Sequence, residues 1–506
     1  MTKAKTSFFN KFLNYTEKAG NSLPHPASLF ALFAFLVLII SFVAHIFQWT
    51  AVHPGTGDLI KPVNLLNVDG IHRIILEMVH NFTSFAPLGI VIVAMLGIGI
   101  AESSGLIAAL IRLMVLKSPK KYLTFVLVLA GILSNTASDI GYVLLIPLAG
   151  TIFLSIKRNP LTGMAAAFAG VSGGFSANLF LGTIDPLLAG LSQEAAQIIN
   201  PIYEVNPTAN YYFMFVSTFL IALAGTWVTE KIVAPRLGDY TGLHEQEEIG
   251  ELKPNEKKGL LWAGIVLLIL SAIVLIGILP ENGFLRLPGE SILKSPVIKG
   301  VIALLLVFAG GTGLAYGLAS GSFKNDTDVV NGMSASIKTL ATYIVLVFFA
   351  AQFVAFFKWS HLGEIIAING ATFLKSINIG SIPLIIAFII LAATINMAMG
   401  SASAKWAIMA PVFIPLFMEL GYSPELSQVV YRIGDSVTNL ISPMMSFFAL
   451  IIAFFQKYDK KANIGTIIST MLPYTFVFFI VWSLLIIVWM QLGLPLGPGA
   501  PLHYDP

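Results

Sequence analysis

The sequence predicts an all-α polytopic membrane protein, with nine transmembrane helices plus two re-entrant hairpins in an inverted repeat. Three observations carry that reading. Hydrophobic residues make up 56% of the chain and charged residues only 11%, where a soluble domain carries about 25% charged residues. Many apolar runs reach the roughly 20 residues needed to cross a bilayer, and two pairs of runs fall short of it. The polar sequences that interrupt the short pairs recur half a chain apart. The 506 residues include no cysteine, which excludes disulfides, iron–sulfur clusters and thiolate metal sites. No nucleic-acid module is present, and a net charge of +3 is too small to suggest one.

Lys3, Lys5, Lys11 and Lys18 precede the first apolar run without a small-residue cleavage motif, so no cleaved signal is expected. Phe8, Phe9, Phe12 and Leu13 share one helical face and suit an interfacial helix. Seven uninterrupted spans follow: Leu29–Trp49, Phe85–Gly105, Tyr211–Val233, Leu260–Leu279, Val297–Ala319, Lys338–Phe357 and Gly465–Met490. Two more, Met164–Leu188 and Glu425–Phe455, have polar middles. The remaining runs are broken by SNTASD (Ser134 to Asp139) and by NMAMGSASAKW (Asn396 to Trp406). Their arms of about 12–15 residues reach roughly 18–23 Å as helix, short of a core about 30 Å thick. They read as re-entrant hairpins at 122–154 and 382–418, with tips facing protein or water.

Each hairpin carries a Ser or Thr, an Ala and a Ser at its tip, with a proline further on, Pro147 or Pro411. Each precedes a broken span that runs from serine through Asn-Leu to proline: Ser176 to Pro186, and Ser436 to Pro443. Five spans separate the hairpins, an odd number, so the second half is inverted in the membrane. Inverted repeats with broken helices meeting at the midplane are the architecture of secondary transporters. The division expected is 1–233 for the first repeat, 234–296 for a cytoplasmic loop and connecting span, and 297–506 for the second repeat. A cytoplasmic N-terminus and external C-terminus place most of the 29 Lys and Arg on the cytoplasmic side. Only Lys405 and Arg432 fall at membrane depth.

Such charges cost about 2.5–3.5 kcal/mol each on insertion scales and persist where they face a cavity. Arg432 can hold a carboxylate through two parallel hydrogen bonds, and Trp406 offers a flat face to an aromatic ring. Asp185 and Asp435 can carry a proton or ligate Na+. Asn135, Ser138, Asn178, Asn396, Ser403 and Asn439 complete a polar set for substrate or ion. No firm metal site is read; Na+ near Asn135, Asn178, Asn396 and Asn439 is the one candidate, and no cofactor beyond a coupling H+ or Na+ is expected. Pro443 and the run AGVSGG (Ala169 to Gly174) permit unwound backbone whose carbonyls and N–H groups face ions. Blander readings exist. Arg432 and Asp435 are i,i+3 and could form an internal ion pair, Lys405 could snorkel or cap, and the asparagines could bond helix to helix. No His lies near the polar set, so an enzyme is not expected.

The segments EKAGNSLPHPASLF (Glu17 to Phe30), SNTASD and GSASAKW…RIGDSVTNLISPMM resemble the p-aminobenzoyl-glutamate transporter family (AbgT), over the whole chain. The resemblance implies an elevator-type homodimer in the bacterial inner membrane. In it, spans one, two, five, six and seven form a scaffold around a mobile core of hairpins and remaining spans. It further implies import of p-aminobenzoyl-glutamate or export of sulfonamide antimetabolites. The family's site residues carry over to Asp185, Ser403, Trp406, Pro424, Arg432, Asp435 and Pro443. The related sodium-coupled dicarboxylate symporters have SNT at both tips. Here only Ser134-Asn135-Thr136 has it, which counts against that alternative.

Overall fold

The computed structural model describes residues 24, 26–52, 57–136, 141–240, 242, 252–292, 295–442, 445 and 447–505. It is all-helical apart from a small antiparallel ribbon pairing Ala51–Val52 with Leu59–Ile60. The interfacial helix expected before residue 24, the tip residues Ser138 and Asp139, and Pro443 lie outside the described residues. The seven uninterrupted spans fold as Pro26–Ile46, Ala86–Ser103, Tyr211–Val228, Pro254–Ile278, Val301–Ser320, Ala341–Trp359 and Ile464–Gln491. Pro254–Ile278 turns Leu261, Leu268, Ile269 and Ile276 outward, an apolar surface of the kind that faces lipid or another protein.

The interrupted segments break as expected, with one difference of length. The first hairpin consists of Leu123–Ser134, a tip, a wide π turn Gly141–Leu145 and Ile146–Ser155. The second consists of Ser381–Ala398 and Ala402–Glu419. Its first arm has 18 residues, not the 12–15 expected, and joins the seven spans as an eighth helix long and apolar enough to cross a membrane. The arm lengthens because Asn396, which marks a tip in sequence, is held inside the helix by side-chain bonds described below. Between the hairpins, Pro160–Phe168 widens into a π turn at Ala169–Gly173, and helix resumes at Ile184–Ala196. The second broken span stops at Asn439 and resumes at Phe448–Tyr458.

Several backbone details occur in both halves of the chain. Asn159 and Ser423 each cap a helix that starts with proline, by accepting from the N–H of Leu161 and Leu426. Left-handed residues stand next to helix ends in both halves: Gln48, Gly105, Lys157 and Gly238 in the first, Gly321, His361, Gly421 and Gly493 in the second. Composition hid two further helices, Val68–Thr83 and Asp326–Thr339, each capped by an asparagine, Asn67 or Asn325. They are too polar to register as spans.

Ala86–Ser103 and Val301–Ser320 pack backbone to backbone: a Cβ on Gly97 would lie 2.6 Å from Leu306 Cα, and one on Gly313 2.5 Å from Ala101 Cα. Small residues at such contacts are what holds helices together in lipid. The broken spans meet at their breaks, where Gly173 abuts Leu440 and Phe478 and the Ser172 hydroxyl lies 3.2 Å from Met445 Sδ. The last residues fold back as a strap: Ser423 N–H donates to Leu502 O, Tyr504 N–H to Gly421 O, and Tyr212 N–H to Leu496 O.

Candidate functional site

The helix Pro424–Asn439 organises the site. It places Glu425, Gln428, Arg432, Asp435 and Asn439 at alternating spacings of three and four, so they line one face. Every residue of this helix is buried, so each polar group on it must find a partner inside the protein.

Arg432 does not pair with Asp435, its neighbour one turn away. Its Nη1 donates to Asp185 Oδ1 at 2.7 Å, with both side chains almost fully buried. Asp185 sits in the first turn of Ile184–Ala196 and its Oδ2 accepts from Gly182 N–H at 2.7 Å. Gly182 in turn lies against the backbone of Asn135 at the first hairpin tip. The Arg432–Asp185 bond therefore ties the two broken spans together. Arg432 Nε is buried with no hydrogen-bond partner. The residue lines a narrow, closed gap shared with Ser176, Asn210, Phe213, Met214 and Trp482.

Asp435 pairs instead with Lys405 of the second hairpin, and the same ammonium contacts Asn396 Oδ1. Lys405 is 1% exposed, so it neither snorkels nor caps, and the internal Arg432–Asp435 pair is replaced by two pairs between elements. Asn396 Nδ2 donates to Asp435 O, Thr438 Oγ1 and Asn439 Oδ1 at 2.7–2.9 Å. Ser442 Oγ returns a bond to Asn396 O. A buried charge pair is stable only when its remaining lone pairs and protons are satisfied in this way.

Trp406 is fully buried, and one face is stacked on Tyr431 at 4.5 Å between centroids and 24°. That face is not free to receive a ligand ring in this conformation. Its Nε1 donates to Ser192 Oγ at 2.9 Å, Ser192 donates to Gln428 Oε1 at 2.6 Å, and Gln428 donates to Asn210 Oδ1 at 2.8 Å. Asn210 donates onward to the backbone carbonyl of Glu425 at 3.0 Å. Pro424 begins the helix at its first turn. Ser403 meets Ser401 Oγ at 3.4 Å at the second tip.

In the first half, among the described residues, Asn135 Nδ2 bonds carbonyls of its own helix, Gly131 and Ile132, while Asn178 bonds Thr136. No hydrogen bond joins either to Asn396 or Asn439. Ser192, Gln428, Asn210, Glu425 and Tyr203 belong to the buried network and were missed in sequence. Gln428 and Glu425 were within reach, since they continue the stripe of Arg432 and Asp435. The others come from distant segments and carry no local signal.

The sequence model of the AbgT putative transporter family matches residues 11–504. The p-aminobenzoyl-glutamate transport protein of Escherichia coli (strain K12) is 36% identical over 490 residues, 97% of this chain and 96% of that protein. Among solved structures, the YdaH transporter of Alcanivorax borkumensis is 44% identical with a TM-score of 0.90, covering 94% of this chain and 100% of its own. MtrF of Neisseria gonorrhoeae, described within a class of antimetabolite efflux pumps, is 52% identical with a TM-score of 0.92, covering 97% and 100%.

Proposed function

The chain belongs to the AbgT family of membrane transporters, and on that premise we propose that it moves p-aminobenzoyl-glutamate or a related aromatic anion, sulfonamide-type antimetabolites included, as an elevator-type secondary transporter. A gradient of H+ or Na+ drives the cycle. The observation that carries this reading is the half-used guanidinium of Arg432. One nitrogen holds Asp185, Nε is unpaired, and the residue borders a gap lined by apolar and amide side chains.

A guanidinium presents donors in a planar fork that matches a carboxylate. A substrate carboxylate entering the gap would take up the free edge and compete with Asp185 for the rest. Loss of the Asp185 bond loosens the contact between the two broken spans, which couples substrate binding to movement of the core. The gap has no room for even a water-sized molecule, where a small-molecule pocket offers about 300–1,000 Å³, so the present conformation is a closed one. Lys405 neutralises Asp435 nearby and keeps a second acid from repelling the anion. Sodium-coupled dicarboxylate symport is not favoured, because the second tip lacks the SNT motif and the relatives named above handle other cargo.

The hairpins are re-entrant in this reading. The two halves are inverted repeats, the protein is a homodimer in the inner membrane, and its N-terminus is cytoplasmic with the C-terminus external. Purified protein in liposomes should move p-aminobenzoyl-glutamate under an imposed H+ or Na+ gradient, and Arg432→Lys should abolish movement while the protein stays folded. Full transport by Arg432→Lys would refute the carboxylate role.

A further inference from the structure

The stripe on Pro424–Asn439 ends on a carboxyl that the transport reading leaves unused. Glu425 is 3% exposed. Its Oε2 accepts from Tyr203 Oη at 2.9 Å, and among the described residues it forms no ion pair. The Ser423 side chain and the main-chain N–H of Glu425 itself also lie beside the carboxyl. Tyr203 belongs to the connection before Tyr211–Val228, and Tyr504 of the C-terminal strap packs edge-on to Tyr203 at 5.8 Å.

Neighbouring helices offer Glu425 no counter-charge. On Ile184–Ala196, Asp185 is bonded to Arg432, and on Ala402–Glu419, Lys405 is bonded to Asp435; the other ionisable groups of those two helices, Glu194 and Glu419, are acids and bring no positive charge. Tyr211–Val228 and Ile464–Gln491 carry no charged side chain. A carboxylate out of water without a cation is costly. The neutral acid, which can also donate, is the form this pocket suits.

Two features connect Glu425 to the moving parts. Its main-chain carbonyl is the end of the bonded chain Asn210–Gln428–Ser192–Trp406, which reaches the second hairpin. The strap covers it: Ser423 Oγ donates to Pro501 O at 2.7 Å and Ser423 N–H to Leu502 O. Opening of the strap or the 197–210 connection would admit water to the carboxyl.

We propose that Glu425 is the proton-carrying group of the transport cycle, taking one H+ from water on one side of the membrane and returning it to water on the other. The carboxyl changes between COOH and COO⁻ with no other reactant, and Tyr203 steadies the anion by donating to it. The assignment rests on the transporter reading and selects H+ over Na+ as the coupling ion.

Full-length protein in liposomes tests it with radiolabelled p-aminobenzoyl-glutamate, read as exchange at equal pH and as accumulation under an imposed pH gradient. One proton per cycle across one pH unit is worth about tenfold accumulation. Glu425→Gln, which keeps the acceptor for Tyr203, should retain exchange and lose that accumulation, while Glu425→Asp keeps it. If Glu425→Gln does not fold, Tyr203→Phe decides: loss of a bond to the charged form should move the pH midpoint of accumulation up by about one unit. Accumulation by Glu425→Gln equal to wild type, an unmoved midpoint in Tyr203→Phe, or wild-type transport indifferent to pH gradients each overturns the assignment while leaving the transporter reading intact. No exchange by wild type under any condition strikes the transporter reading itself, and this proposal with it.

Discussion

Asp185→Asn leaves the guanidinium of Arg432 buried without its counter-ion. The two side chains are 4% and 2% exposed and joined at 2.7 Å, so little water can take the place of the lost carboxylate. Breaking a buried pair from one side costs about 3–5 kcal/mol. Removing both charges with groups of similar volume, Arg432→Met with Asp185→Leu, should recover most of that loss, because well-packed apolar replacements are often neutral or stabilising. The double-mutant cycle should therefore return a coupling of about 3 kcal/mol, the upper end for residues in contact. A second cycle, Lys405→Met with Asp435→Leu, should return a coupling of similar size, since those side chains are 1% and 2% exposed. The crossed cycle, Arg432→Met with Asp435→Leu, should give clearly less. Unfolding free energies in mixed micelles supply all three terms, and transport in the apolar double mutants should be lost although stability returns. A crossed coupling larger than that of Arg432 with Asp185 would refute the pairing and restore the internal i,i+3 pair.

Two further substitutions probe the packing around these charges. Trp406→Phe keeps the stack on Tyr431 and loses the bond to Ser192, so stability should fall by about 0.5–1.5 kcal/mol with transport largely kept; Trp406→Ala should cost about 3–5 kcal/mol, and melting curves distinguish that structural loss from a change in affinity alone. At Gly434 a Cβ would lie 2.4 Å from the carbonyl oxygen of Ile389, so Gly434→Ala should push the second hairpin off its helix at a cost of about 1–3 kcal/mol, whereas Gly264→Ala, with nothing within 4 Å, should be neutral or slightly stabilising in the same assay.

By itself the sequence determined the helical spans and the two interruptions, because a bilayer punishes any polar stretch that lacks a partner and so writes element lengths directly into hydropathy. It also held the polar stripe Glu425–Gln428–Arg432–Asp435–Asn439, since helical spacing alone puts those residues on one face. Helix limits near polar residues were less legible. Asn396 looks like a tip and is instead an interior residue of Ser381–Ala398, because Asp435, Thr438 and Asn439 accept its bonds.

Partner choice was decided only by the tertiary structure. Spacing permits Arg432 to reach Asp435, and nothing local forbids it, yet the guanidinium is claimed by Asp185, 247 positions away, and Asp435 by Lys405, 30 away. Each charge is matched across elements because burial leaves no water to serve either one. Glu425 and Trp406 make the same point. A sequence names an acid and a flat ring, but whether the acid lies under a strap beside a phenol, or the ring's face is already covered, depends on segments that meet only when the chain is folded.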